Sequence, residues 1–374
     1  MNLELTDEQT FLRDAARDAL SRVWTVAAAR DALEDPSALP DLWPTACAAG
    51  WSGLLVSEAG GGAELSAFDA MLVMTEAGRV LAGVPLLGHL PASSLLDAGG
   101  FADVTSVAEG SMRACFVPAR PPGDMGGGWT VEALSGSLRA AAPVLDDDGA
   151  LTGRACWVVD APGADVLVVA AVRASDGSPV AVVVDGTVAG VSVESVMRYD
   201  ATRSLGHVTF SSVADVSVLD DVGAEELAGA WYLMQALLAA ESLGAVETAL
   251  QMSVAYAKER FTFGRAIGSY QAIKHSLVEI LRLRENAYSL LVYAGWAHED
   301  SPSEFPLAAS AARAAAGHAL DYASRAMISV HGGIGATWEH DAPLFFRRGQ
   351  LSRRLLGGIG DATDRVAGEL LSAT

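Results

Sequence analysis

Residues 231–271, WYLMQALLAAESLGAVETALQMSVAYAKERFTFGRAIGSYQ, constrain this chain more than any other stretch. The first half is apolar at nearly every position, so the helix it forms has no face that can be left to water. Such a helix has to be surrounded, and further helices are its natural neighbours. One acid, Glu241, interrupts the apolar part, with no Lys or Arg within two turns on either side. A carboxylate there is costly unless it takes up a proton or meets a partner brought by the fold. Beyond it the helix turns polar, Arg260-Phe-Thr-Phe-Gly264 breaks it, Gly268 follows, and a second long helix opens near Gln271. An isolated acid, then an Arg and a Gly-rich break joining two helices, reads as a site.

The hydrophobic period changes twice along the chain. Thr6-Asp-Glu-Gln9 is a capping box that opens a helix carrying Phe11, Leu12, Ala15, Ala19 and Leu20. Helical spacing, broken by prolines and by the Gly60-Gly61-Gly62 loop, continues to about residue 108. Short β-branched runs then take over at 165–171, 180–184, 190–194 and 207–211, with Asp176-Gly177 and Asp185-Gly186 as hairpin signals. No helices separate them and no GxGxxG follows a strand, which argues for an antiparallel barrel or sandwich and against a Rossmann site. After about residue 220 helices are predicted at 224–258, 269–298, 306–330, 342–356 and 361–373. The expected architecture is α+β and multidomain: an all-helical domain over 1–108, a β domain over 109–220 and a helical bundle over 221–374.

Charge and cysteine content narrow the function. With 46 acids against 25 bases, the formal charge of −21 disfavours nucleic acid and anionic membrane as partners. Cys47, Cys115 and Cys156 match neither a disulfide framework nor a metal-ligand spacing, so no metal site and a reducing cytoplasm are expected. The opening Met1-Asn-Leu-Glu-Leu-Thr-Asp-Glu is acidic where an export signal is basic. The apolar run Trp231–Ala240 is shorter than the ~20 residues that span a bilayer, so no membrane span is expected.

Two motifs carry a family resemblance. Tyr256-Ala-Lys-Glu-Arg-Phe-Thr-Phe-Gly264 with Ile267-Gly-Ser-Tyr-Gln-Ala-Ile-Lys-His275, and Val330-His-Gly-Gly-Ile-Gly-Ala-Thr-Trp-Glu-His340 with Phe346-Arg-Arg348, resemble the signatures of acyl-CoA dehydrogenases. Leu5-Thr-Asp-Glu-Gln9, Gly50-Trp51 and Tyr199-Asp-Ala-Thr-Arg203 are weaker echoes. The resemblance implies FAD-dependent α,β-dehydrogenation of an acyl-CoA or acyl-carrier thioester. It also implies an electron-transfer flavoprotein or similar acceptor, and a homo- or hetero-oligomer built as a dimer of dimers. That chemistry needs a carboxylate for the α-proton, donors for the enolate-like oxygen and a hydride acceptor on the opposite face.

Glu241 is the candidate base, a buried carboxylate being suited to that work; the alternative is a structural acid hydrogen-bonded in the bundle or at a subunit interface. By resemblance the family's usual base positions fall near Leu356 and Met234, neither of which is acidic. Glu247, six residues beyond Glu241, is read as solvated or salt-bridged. Arg260, Thr262, Phe263 and Gln271 match residues that contact FAD, usually the neighbouring subunit's, and Gly332 and Gly333 match a pair that lets backbone approach it. Trp157 matches a Trp beside the flavin ring, or is a core Trp of the β domain. Arg347, Arg348, Arg353 and Arg354 form a basic strip, read as a solvated or interface face, with contact to a CoA phosphate or a partner subunit as the alternative. Three departures stand out: Ser329 replaces a family Gln, Gln235 replaces an Arg, and FVPARPPGDMGGGW replaces the flavin loop at 116–129. They raise a second reading, a partner chain that completes the FAD site of a heterotetrameric enzyme; a flavin-dependent monooxygenase or oxidase on the same fold is a third.

Overall fold

A computed structural model describes residues 4–23, 26–118, 130–131, 139–197 and 199–372. Most of the expected flavin-loop segment, 119–129, lies outside the described residues.

Six helices come first: α1 (Asp7–Val23), α2 (Val26–Asp31), α3 (Trp43–Ala48), α4 (Ala67–Arg79), α5 (Leu86–Ala98) and α6 (Val104–Glu109). The capping box at the start of α1 forms, the Gln9 N–H donating to Thr6 Oγ1 and the Thr6 N–H to Gln9 Oε1, each at 3.1 Å. Ser66 and Asp69 make the same reciprocal cap on α4.

The middle region comprises β1 (Ala114–Val117), β2 (Thr130–Val131), β3 (Arg139–Ala140), β4 (Val144–Leu145), β5 (Leu151–Val159), β6 (Val166–Arg173), β7 (Pro179–Asp185), β8 (Val191–Ser195), β9 (Leu205–Val213) and β10 (Ser217–Val218). Eight strands join in one sheet of order β10-β7-β6-β4-β5-β9-β8, with β1 also pairing β6. The sheet is mainly antiparallel as expected, but β1 and β4 each run parallel to β6. Asp176-Gly177 does turn β6 into β7, with Gly177 left-handed at φ 71°. Asp185-Gly186 does not make a hairpin, because β8 pairs with β9 rather than with β7. The nine-residue β5, whose Leu151–Val159 run lacks strict alternation, escaped the periodicity reading.

The third region holds α7 (Ala224–Glu259), a hairpin of β11 (Phe261–Thr262) and β12 (Arg265–Ala266), α8 (Gln271–Asp300), α9 (Phe305–His331), α10 (Ala342–Ser352) and α11 (Gly358–Ser372). Among the described residues α7 is the one helix long and apolar enough to cross a membrane, and 83% of its apolar window is buried inside the fold. It is the central helix that the sequence demanded. Helices α4 and α7 cross backbone to backbone: a Cβ on Gly78 would overlap the Glu241 carbonyl, and one on Gly244 the Thr75 carbonyl. The helix predicted to run to 356 stops at Ser352. There the buried Arg313 guanidinium donates to the Ser352 and Leu355 carbonyls, and Leu356, Gly357 and Gly358 turn left-handed.

Candidate functional site

Glu241 is 1% exposed, as its neighbours in sequence require, but it is not solitary. Its Oε1 accepts from Arg348 Nη1 at 2.8 Å and its Oε2 pairs with Arg203. Arg348 also donates to Asp200 Oδ2 at 2.7 Å, to the Leu81 carbonyl at 3.1 Å and to the Thr202 hydroxyl. Burial opposes the charge on Asp200, but the Arg348 guanidinium and the Thr202 hydroxyl outweigh it and hold its carboxyl below the usual range. Arg203, Glu241, Arg348 and Asp200 thus alternate in sign through a dry junction of the N-terminal helices, the sheet and the bundle. Both Glu241 oxygens already accept from guanidinium groups, whereas a general base needs a lone pair aimed at its substrate. That geometry is the one expected of the alternative, a structural acid bonded within the bundle.

The partners that the fold brings to Glu241 could not be named from the sequence, because both are remote, 38 and 107 residues away. Arg348 likewise leaves the expected surface strip: at 1% exposed it points inward, while Arg347, Arg353 and Arg354 reach the surface. Glu247 is salt-bridged to Arg79 and Arg284, as read.

A different set of residues gathers at the far end of α7. The Tyr256 ring packs against His331 in a tilted pair at 4.4 Å between centroids, and His331 against His340 at 4.3 Å, so the end of α7 lies beside the end of α9. This brings the β11–β12 hairpin, with Arg260, Thr262 and Phe263, to the same end of the bundle as Gly332 and Gly333. The hairpin is braced by Tyr270, whose hydroxyl donates to the Thr262 carbonyl at 3.1 Å and whose ring lies 3.9 Å from the Arg265 guanidinium. Its tip points outward, Phe261 at 63% and Phe263 at 98% exposure. Gly332 is left-handed at φ 64°, and a Cβ at either Gly332 or Gly333 would meet nothing within 4 Å. The backbone there is open to a ligand, not packed. Nineteen residues of helix separate Glu241 from Arg260, roughly 28 Å at ~1.5 Å per residue, so the acid and the arm do not share one small site.

Trp157 sits on β5 at a β-bulge between Ala155 and Val158, with φ 59°. A bulge re-aims a side chain out of the strand's alternation. The Trp157 ring packs edge-on against His207 at 4.6 Å and is half-buried against the main core. Two buried groups were missed altogether. Asp160, left-handed at φ 64°, accepts from the Gly88 N–H at 3.0 Å; burial, opposed by the Arg203 charge, pushes its carboxyl up to about 6. His89 bridges the Ser52 carbonyl and the Ala114 N–H, and burial lowers its pKa to about 4. Neither stands in a motif, and only tertiary burial marks them.

The outward end of the bundle fits an anionic dinucleotide. Arg260 is exposed and has no ion-pair partner among the described residues, and α8 opens at Gln271 with no side-chain cap on its first-turn N–H groups. A forked cation beside open helix-start donors is the donor set a diphosphate requires. Gln271 and Thr262 add neutral donors, and the Gly332–Gly333 backbone allows close approach.

Comparison with known proteins gives the family. Residues 229–366 match the acyl-CoA dehydrogenase C-terminal domain and residues 6–99 the acyl-CoA dehydrogenase N-terminal domain. The chain is 31% identical over 366 residues to the acyl-CoA dehydrogenase IpdE2 of Mycobacterium tuberculosis, covering 97% of this chain and 98% of that protein. Among solved structures, a Tcur3481–Tcur3483 steroid ACAD superposes with a TM-score of 0.85 at 27% identity over 98% of each chain. The ChsE4–ChsE5 complex of M. tuberculosis shares the fold, with a TM-score of 0.83 at 22% identity over 99% of each chain. The chain therefore belongs to the acyl-CoA dehydrogenase family, flavin-dependent oxidoreductases that act on the CH–CH bond of acyl-CoA thioesters.

Proposed function

We propose that this chain serves acyl-CoA dehydrogenation as the subunit that completes a shared FAD site, the α-proton being taken by a carboxylate of a second chain. The observation that carries this reading is Glu241 itself, both of whose carboxylate oxygens are tied to buried guanidinium groups. The FAD-type arm of Arg260, Thr262, Phe263, Gln271, Gly332 and Gly333 faces outward, while Glu241 is sealed in its ion pairs roughly 28 Å back along α7. FAD, when bound, supplies the hydride acceptor. Arg260 and the α8 N-terminus hold its diphosphate, Gly332 and Gly333 let backbone lie against it, and Phe261 and Phe263 exclude water by seating on the second chain. Trp157, re-aimed by its bulge, is the residue of the sheet assigned to the flavin ring.

Two of the solved relatives of this fold carry two-chain names, which supports a heteromeric assembly, and the steroid-dehydrogenase likeness favours a bulky, ring-bearing acyl group. Electrons leave to an electron-transfer flavoprotein or similar acceptor. The test is the chain purified alone: its visible flavin absorption is to be followed under anaerobic addition of an acyl-CoA. No bleaching is expected. A yellow chain that bleaches, and no longer does so as Glu241→Gln while keeping its colour, would overturn the proposal and restore Glu241 as the base.

A further inference from the structure

Tyr256, His331 and His340 make a ladder of three rings where the ends of α7 and α9 meet the turn that leads into α10. One nitrogen of each histidine has a backbone partner. His331, 5% exposed, donates from Nδ1 to the Met327 carbonyl one turn back along α9, at 2.8 Å. His340 Nδ1 accepts from the N–H of Ala342, the first residue of α10, at 3.0 Å. That second bond exists only while Nδ1 carries no proton. Asp341, the N-cap residue of α10, makes no cap bond with its side chain and pairs with Arg30 of α2 instead.

Neutral His340 therefore holds the start of α10, and its surroundings select the neutral form. The charged and titratable groups about it are His331 from α9, Arg30 from α2 and Asp341 beside it in the chain. Tyr256 of α7 lies against His331, and Glu339 is turned to its own backbone N–H and to Thr337. Burial does most to lower the His340 pKa below its usual 6.5; His331 and Arg30 add to that, against the pull of Asp341. A proton there would also place positive charge at a helix N-terminus, where the macrodipole opposes it.

We infer that His340 is a proton-released latch, pinning the 332–341 turn to α10 when neutral and letting it go when protonated. Because the latched ring binds a proton more weakly than the released one, the latch is closed above 6.5. It weakens as pH falls toward the latched pKa. Gly332 and Gly333, whose backbone is open, begin the same turn, so release at one end moves the ligand seat at the other. Only this last link, to cofactor retention, rests on the function proposed above.

The test is amide hydrogen exchange of the purified full chain from about pH 7.5 to 5, corrected for the intrinsic exchange rate. Protection over 332–341 should fall about tenfold for each pH unit that separates the released from the latched pKa. His340→Asn sets an amide oxygen where Nδ1 sits, accepts the same N–H as an Asx turn and does not titrate, so its protection should stay level. Arg30→Gln removes a cation and frees Asp341 for the imidazolium, so the fall should begin at higher pH. The His340 ring-proton shift, followed by NMR, reads the latched pKa directly. A His340 pKa at or above 6.5, protection independent of pH, or a fall that persists in His340→Asn would overturn the inference. Flavin retention is followed on the same samples. Flavin lost on acidification from the parent but kept by His340→Asn extends the latch to the cofactor. A chain that holds no flavin at any pH counts against the cofactor site proposed above, while the exchange data still decide the latch.

Discussion

Replacing Glu241 by Gln separates a keystone from a base. The substitution keeps size and shape but removes the one negative charge shared by Arg203 and Arg348, whose side chains are 2% and 1% exposed. Asp200 then remains as the paired acid for Arg348, and Arg203 loses its carboxylate partner. Breaking a buried ion pair from one side costs about 3–5 kcal/mol, because the remaining charge stays dehydrated. An unfolding entropy of about 2.1 cal/mol/K per residue gives roughly 0.8 kcal/mol/K for a chain of this length, so the expected loss is about 4–6 °C in Tm. Differential scanning calorimetry on the two proteins measures it, with the visible flavin spectrum recorded alongside. Arg203→Met in the Glu241→Gln background should recover part of the loss, since the unpaired cation is removed with its partner. A Glu241→Gln protein that melts within 1 °C of the parent (a shift of less than about 1 kcal/mol by the same conversion) would refute the keystone argument. If it had also lost dehydrogenation, the acid would be catalytic.

Other predictions follow from buried groups and close approaches. Asp160 has a folded pKa raised from 3.8 to about 6, so its contribution is full below 3.8 and is lost as pH rises through 6, a difference of about 3 kcal/mol. Asp160→Asn keeps an acceptor for the Gly88 N–H and suits the left-handed backbone, so it should raise Tm at pH 8 and leave it nearly unchanged near pH 4. His89 has the opposite sign: lowered from 6.5 to about 4, it contributes above 6.5 and its contribution, about 3 kcal/mol, is lost as pH falls towards 4. Melting curves from pH 7 to 4 should show a flatter acid limb for His89→Gln than for the parent. Gly78→Ala forces α4 away from α7 at the Glu241 carbonyl and should cost several kcal/mol, about 2–4, by overpacking and lost contacts; urea titration reads it. Gly333→Ala has room for its Cβ and should fold like the parent, so reduced flavin retention there would report ligand approach, and unchanged retention would remove the pair from the cofactor site.

Much of the architecture could be read from one dimension because the signals are local. The capping box of Thr6 and Gln9 acts over three residues, and the all-round apolar pattern of 231–246 allows no outcome but a central helix. The arm of Arg260 to Gly264 and the Gly332–Gly333 turn were legible for the same reason, each being a contiguous motif at a helix end. Where the reading fell short, the cause was a contact between distant segments. The parallel pairing of β1 and β4 with β6 leaves no mark on alternation, and the early end of α10 depends on Arg313, 39 residues upstream of Ser352.

Glu241 shows the division most plainly. From its neighbours alone the chain determines that this acid is buried, because no apolar helix of that kind can turn a face to solvent. Whether it is free to take a proton from a substrate or bound into a junction depends on which cations arrive beside it. Arg203 comes from the connection between β8 and β9, and Arg348 from α10 of the bundle. Coulomb interactions act through space, while a sequence records only order along the chain, so the partner of a buried charge is decided by folding.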